Sequence, residues 1–290
     1  MKIRLFILLF FGTVGLVKAQ QPFTIGETQT IYSKILGEER ILNIYLPAYY
    51  SDTISYPVIY LLDGSADEDF VHVSGVMQFM NMMQIIPDAI IVGIANVDRK
   101  RDFCFPTTIE QDKKDFPTTG GSEKFIQFVE SELQPFIENN YPVNKNKTII
   151  GQSLGGLVAT EILFKKPTLF NNYIIVSPSL WWDNESLLNI ADSAMANLPA
   201  GDMQIYLAVG KEHPTMVKDA KKLHKILKHS GKKNLEIHFE QLKKEDLSPY
   251  IEKIAAFKNK YVKIVEGTKT EKDLVLPFNQ DELQEGEKKK

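Results

Sequence analysis

The chain has 290 residues, 43% of them hydrophobic, with 37 acidic and 34 basic side chains for a formal net charge of −3. That near balance, with lysine and arginine scattered along the chain, lacks the clustered positive charge of a nucleic-acid binder and excludes that class. The single cysteine, Cys104, excludes an internal disulfide, so a chain of this length must stand on one large apolar core.

In chain order, Lys2 and Arg4 lead into an apolar run over 5–11 that continues to Val17. Val17 and Ala19 put small residues where a signal peptidase needs them. This layout predicts export to the periplasm or the outside, with cleavage after Ala19. The run is shorter than the ~20 residues of a bilayer span, so no stable membrane insertion is expected after cleavage. No cysteine follows the cut to carry a lipid. Apolar density is then even from about 31 to 264, without repeats or a Pro- or Gly-rich linker, which predicts one domain over 20–265. A tail over 266–290 follows, and its last residues are polar and mostly charged.

Residues 28–35 and 40–46 alternate in polarity on either side of Leu36-Gly37-Glu38-Glu39, which predicts an antiparallel hairpin. Beyond it, short runs rich in Ile, Val and Leu recur at 58–62, 89–94, 148–150, 173–176, 204–209 and 235–239. Strands apolar on both faces and separated by helices belong to a mostly parallel sheet covered on both sides, an α/β fold. Residues 122–139 place Phe125, Phe128, Val129, Leu133, Phe136 and Ile137 at helical spacing, and 216–228 repeat the pattern with Val217, Ala220, Leu223, Ile226 and Leu227. Ligands of such a sheet bind beyond the carboxyl ends of its strands.

One of those ends carries Gly151-Gln152-Ser153-Leu154-Gly155-Gly156, followed by a helical run over 157–165. This is the G-x-S-x-G turn in its required setting, strand before and helix after. Glycines at 151 and 155 let strand and helix close on each other, and the tight turn holds the serine at a helix N-terminus, where developing negative charge is favoured. Ser153 is thus the candidate nucleophile. An oxyanion would take the backbone N–H of Leu154 and one more from the loop after the strand at 58–62, at Gly64 or Ser65.

The residues Tyr60 to Gly64, Phe70 to Gly75, Val92 to Asn96 with Arg99 to Phe103, Gly151 to Gly156 and Ser177-Pro178-Ser179-Leu180-Trp181-Trp182-Asp183 occur in an order that resembles the “putative esterase” family of α/β-hydrolases. That family takes in esterase D and the enterochelin (siderophore), feruloyl and acetyl-xylan esterases. The resemblance runs from about 25 to about 260. It implies an α/β-hydrolase fold with an N-terminal hairpin and hydrolysis of a small-molecule carboxylic ester, with no metal or organic cofactor. It further implies Ser153 as nucleophile, Leu154 with Gly64 or Ser65 as oxyanion donors, and Glu212 as the acid. Trp181 and Trp182 would wall the acyl or alcohol pocket, with core packing as the alternative. Arg99 and Arg101 would meet an anionic substrate, with an ion pair from Arg101 to Asp102 or Asp98 as the alternative.

The chain departs from the family after the last strand. Relatives carry a catalytic histidine there, whereas residues 240–250 contain none and Asp246 is the best positional match. A serine hydroxyl needs a base of near-neutral pKa. His213 stands beside Glu212 at a strand end, so a swapped triad of Ser153, His213 and Asp246 or Glu245 is one reading. His72 reads as structural, His224 and His229 as exposed and His238 as packed. Three functions follow: an active esterase, a degenerate esterase that binds an ester or glycan-derived ligand without turnover, and a structural role, which the intact serine turn argues against.

Overall fold

The computed structural model describes residues 23–199 and 201–242. All of them but Leu242 belong to the first of two compact units, residues 1–241. The expected signal segment 1–19, Glu245, Asp246 and the tail 266–290 lie outside the described residues, as does the carboxyl end of the expected domain.

The described chain runs through β1 (Glu27–Ser33), β2 (Glu38–Tyr45), β3 (Tyr56–Leu61), α1 (Asp69–Met82), β4 (Ile90–Ile94), α2 (Arg99–Phe103) and α3 (Glu110–Asp115). It continues through α4 (Ser122–Phe128), a π-helical turn (Val129–Leu133), α5 (Gln134–Asn140), β5 (Val143–Gln152), α6 (Leu154–Lys165) and β6 (Asn172–Val176). After these come α7 (Trp182–Asn189), α8 (Ala191–Ala196), β7 (Met203–Val209), α9 (Pro214–His229) and β8 (Leu235–Gln241).

The strands form one eight-stranded sheet in the order β1-β2-β4-β3-β5-β6-β7-β8. β1 and β2 pair antiparallel, as the alternation of the hairpin predicts, and β2 joins β4 antiparallel. From β4 through β3 to β8 every pairing is parallel. This is the α/β architecture expected from the apolar runs. β4 is buried along its whole length, as a parallel strand covered on both faces must be. The main core joins the sheet's Leu42, Val58, Tyr60, Val92, Ile149, Tyr173, Ile175 and Ile205 to Phe125, Phe128, Leu157 and Leu223 of the helices.

The expected helix over 122–139 is interrupted by the π-turn. Pro135 explains it: proline has no N–H to give, and its ring collides with the carbonyl four residues back. The ladder yields by one residue, and the Gln134 N–H reaches the Val129 carbonyl instead. In the same turn Glu132 accepts from Ser33 Oγ and from the N–H groups of Lys34 and Ile35, so it holds the turn of the hairpin.

In α9, Ala220, Leu223 and Leu227 are buried as the periodicity predicts, and so is Asp219. Two histidines differ from expectation. The His224 ring lies half-buried on Phe239, 4.6 Å between centroids, and burial lowers its pKa. The side chain of His238 is 65% exposed and stacks on Tyr206. Residues 236, 238 and 240 of β8 share the exposed face of that strand, which decides the second case.

Candidate active site

β5 ends at Gln152 and α6 begins at Leu154, which leaves Ser153 alone on the turn with φ 56° and ψ −117°. A positive φ at a residue with a side chain is strained and persists only where the surroundings over-determine it. Those surroundings are glycines. A Cβ at Gly151 would stand 2.3 Å from the Gly155 carbonyl oxygen, and one at Gly156 would stand 2.9 Å from Pro178 Cα. Gly155 is less constrained than expected, since the nearest atom a Cβ there would meet is a carboxylate oxygen of Asp63, at 3.3 Å.

Ser153 is half-buried at the carboxyl edge of the sheet. Its N–H donates to the Val176 carbonyl (3.0 Å), and its carbonyl accepts from the N–H groups of Leu157 and Ser179, both at 3.0 Å. Among the described residues the one side chain bonded to its hydroxyl is Ser179, with the two Oγ atoms 3.3 Å apart.

Leu154 is the first residue of α6, and its N–H has no partner among the described residues. At a helix N-terminus such a donor, with the helix dipole behind it, suits an oxyanion. For the second donor the structure corrects one of the two expectations. The Gly64 N–H continues the ladder between β3 and β4 and donates to the Ile94 carbonyl at 3.0 Å, so it is taken. The Ser65 N–H makes no backbone hydrogen bond among the described residues, while its hydroxyl accepts from the Asn96 N–H.

Arg99 is held by the protein. Its guanidinium clasps the Asp63 carboxylate at 2.6 and 2.8 Å and reaches the Gln152 carbonyl at 3.3 Å, so it fastens the loop after β3 to the serine turn. The Asp63 carboxylate raises the Arg99 pKa further above its already high ordinary value. Asn96 donates to the same carboxylate at 2.8 Å.

Arg101 takes the structural alternative. It pairs with Asp102 (2.8 Å) and with Glu38, while Asp98 accepts from its backbone N–H. Glu38 and Asp102 are shared with the fully buried Arg40, which bonds Asp102 at 2.6 Å. Both Arg99 and Arg101 are therefore bound to carboxylates of the protein.

Trp182 is fully buried and donates its indole N–H to the Phe105 carbonyl at 2.9 Å, so it belongs to the core and walls no pocket. Trp181 is half-buried, edge-on to Trp182 and close to Phe116. It alone of the pair keeps an exposed side.

Among the described residues, neither Glu212 nor His213 is hydrogen-bonded to Ser153. Glu212 accepts from Ser177 Oγ at 3.1 Å. His213 is exposed and caps α9, its Nδ1 accepting from the Thr215 N–H at 3.4 Å. It makes no hydrogen bond to Ser153, because the backbone that starts α9 turns its ring to the helix end. The swapped triad is not assembled among the described residues. Asp63, Asn96, Ser177 and Ser179 are site residues that sequence reasoning misses. The signal for the two serines is their place at a strand's carboxyl end, beside the serine turn.

The family described as “Putative esterase” matches residues 33–265. The chain is 35% identical over 193 residues to the ferri-bacillibactin esterase BesA of Bacillus subtilis, a match covering 59% of this chain and 64% of that protein's length. Among solved structures, the BES protein from Bacillus cereus superposes with a TM-score of 0.69 at 32% identity, covering 79% of this chain and 92% of that one. An IroE-like serine hydrolase from Shewanella oneidensis superposes with a TM-score of 0.68 at 29% identity, covering 76% and 74%.

Proposed function

Because the chain belongs to the “Putative esterase” family over residues 33–265, we propose that it is a serine hydrolase of carboxylic esters, with Ser153 as nucleophile and siderophore-type esters, as named for BesA, as its substrate class. The observation that carries this reading is the strained Ser153 at the head of α6, with the N–H of Leu154 next in the chain and that of Ser65 in the loop that Arg99 ties to the serine turn both without a partner among the described residues. Attack of Ser153 Oγ on an ester carbonyl builds negative charge on the carbonyl oxygen. Two fixed N–H donors stabilise that charge without reorganising, which is worth on the order of 10²–10³ in rate per donor. The serine proton passes by way of solvent to the departing oxygen, so the alcohol leaves neutral, and water then releases the acid from the acyl-enzyme and returns a proton to Ser153 Oγ.

A second reading is supported by the histidines. The sequence has five, and each is engaged away from Ser153: His72 with Asp69, His213 at the α9 cap, His224 on Phe239, His229 with the Lys225 carbonyl and His238 on Tyr206. A serine without an imidazole partner retains only the catalysis of oxyanion and binding, ~10³–10⁴-fold over water. In this reading the chain holds an ester or glycan-derived ligand without efficient turnover. Asp246 would then be the family's base position given up rather than relocated. The proposal includes export, supported by the basic and then apolar N-terminus; amino-terminal sequencing of the secreted or periplasmic protein should begin at Gln20. No helix of the described residues is long and apolar enough to cross a membrane.

Hydrolysis of p-nitrophenyl acetate and butyrate by the purified protein decides between the two readings. The esterase reading expects turnover that Ser153→Ala abolishes and His213→Ala leaves within about twofold, since a solvent-exposed cap contributes to the helix rather than to chemistry. Loss of turnover in both variants would restore His213 as base. Equal background rates in wild type and Ser153→Ala would leave the ligand-holding reading.

A further inference from the structure

We infer that Ser177-Pro178-Ser179, the three residues after β6, form a clamp that holds the Ser153 hydroxyl in its reactive orientation, with Ser179 as the positioning residue. The inference rests on the reading of Ser153 as nucleophile. Each residue of the clamp is tied to a different part of the site. Ser177 fastens it to the loop after β7: its N–H donates to the Ala208 carbonyl at 2.8 Å, its Oγ accepts from the Gly210 N–H at 3.2 Å, and the same Oγ donates to Glu212 at 3.1 Å. Pro178 abuts α6 at Gly156, where only a hydrogen fits. Ser179 holds the nucleophile twice, by its N–H to the Ser153 carbonyl and by its Oγ to the Ser153 Oγ.

Burial and strain point to a built feature. Ser177 and Ser179 are 3% and 2% exposed, and Ser177 sits at φ 43°, a strained conformation that persists only where neighbours impose it. The serine side chain has three staggered wells. A hydrogen bond to Ser179 biases the Ser153 hydroxyl toward one of them. The turn itself is held by backbone bonds from Ser153 to Val176 and Leu157, so deleting the Ser179 hydroxyl frees the nucleophile's side chain without undoing the turn. Glu212 acquires a role as well: its carboxylate anchors Ser177, and through it the clamp.

The test uses the whole mature protein and its Ser179→Ala and Ser179→Thr variants, with two readouts. In crystal structures, Ser153 should keep one rotamer in wild type and spread over two in Ser179→Ala. In solution, kcat on p-nitrophenyl butyrate and the rate of Ser153 phosphonylation by a fluorophosphonate should fall together in Ser179→Ala, on the order of two- to threefold, as expected when the freed hydroxyl keeps the productive rotamer only a half to a third of the time. KM should stay unchanged, and Ser179→Thr, which keeps the hydroxyl, should recover most of the rate. A single unchanged Ser153 rotamer in Ser179→Ala overturns the inference, and so does an unchanged rate in a reactive enzyme. If wild type itself is not phosphonylated, the nucleophile reading fails, and the rotamer in Ser179→Ala still decides the clamp.

Discussion

At the residue scale, Asp219 is the buried group that the site does not use. It is fully buried in α9, and both its carboxylate oxygens lack a hydrogen-bond partner among the described residues. Burial, then the neighbouring Glu185 carboxylate, pushes its pKa up to about 6, against the opposing pull of Lys218 and Lys222. Its unfolded value is near 3.9, so the folded state binds the proton more tightly. Stability is therefore fully present below about pH 4 and declines as pH rises through about 6. Asp219→Asn removes the buried charge, so its melting temperature relative to wild type should rise between pH 4 and pH 7. A difference independent of pH would show that Asp219 is solvated. Periodicity does not reveal this group, because an aspartate on the inward side of an amphipathic helix looks like an error in the pattern.

At the element scale, the π-turn before α5 shows a local rule with a distant consequence. Pro135 breaks the ladder, and the displaced turn carries Glu132 to the hairpin turn, where it accepts from one hydroxyl and two N–H groups. Glu132→Ala should cost about 1–3 kcal/mol by leaving those donors unsatisfied, measured by urea unfolding, with ester hydrolysis at saturating substrate unchanged. The sequence shows both the helix and the proline that interrupts it. It does not show the partner, which is about a hundred positions away in the chain and becomes adjacent only when β1 and β2 pair at the sheet edge. The loop after β4 follows the same logic: the partners Asp63 of Arg99 and Glu38 of Arg101 lie far away in the chain, and only folding brings them to the arginines.

At the scale of the whole molecule, the shared Arg40–Glu38–Arg101–Asp102 cluster joins the antiparallel edge of the sheet to α2. Arg40 and Asp102 are both fully buried, and removing one partner of such a pair leaves an uncompensated charge at a cost of about 3–5 kcal/mol. Asp102→Ala should show that loss in urea unfolding, whereas Lys113→Ala, which breaks an exposed pair with Glu110, should show almost none. Equal effects of the two would mean that water reaches Arg40.

The serine turn, the parallel strands and the helix faces are legible in the sequence alone, because each depends on residues within a few positions: a positive φ beside glycines, apolar runs of strand length, apolar residues every three or four. Strand order is decided by pairings such as β3 with β5, far apart in the chain, and the commitment of Arg99 to Asp63, the loss of the Gly64 donor to the Ile94 carbonyl, the burial of Trp182 and the meeting of Ser179 with Ser153 depend on residues from 26 to 77 positions apart. Sequence spacing does not encode such partners. They are chosen when the strands align and each buried donor must take an acceptor within its reach, and in this protein that choice made Arg99, an apparent substrate contact, a support for the turn that carries the serine.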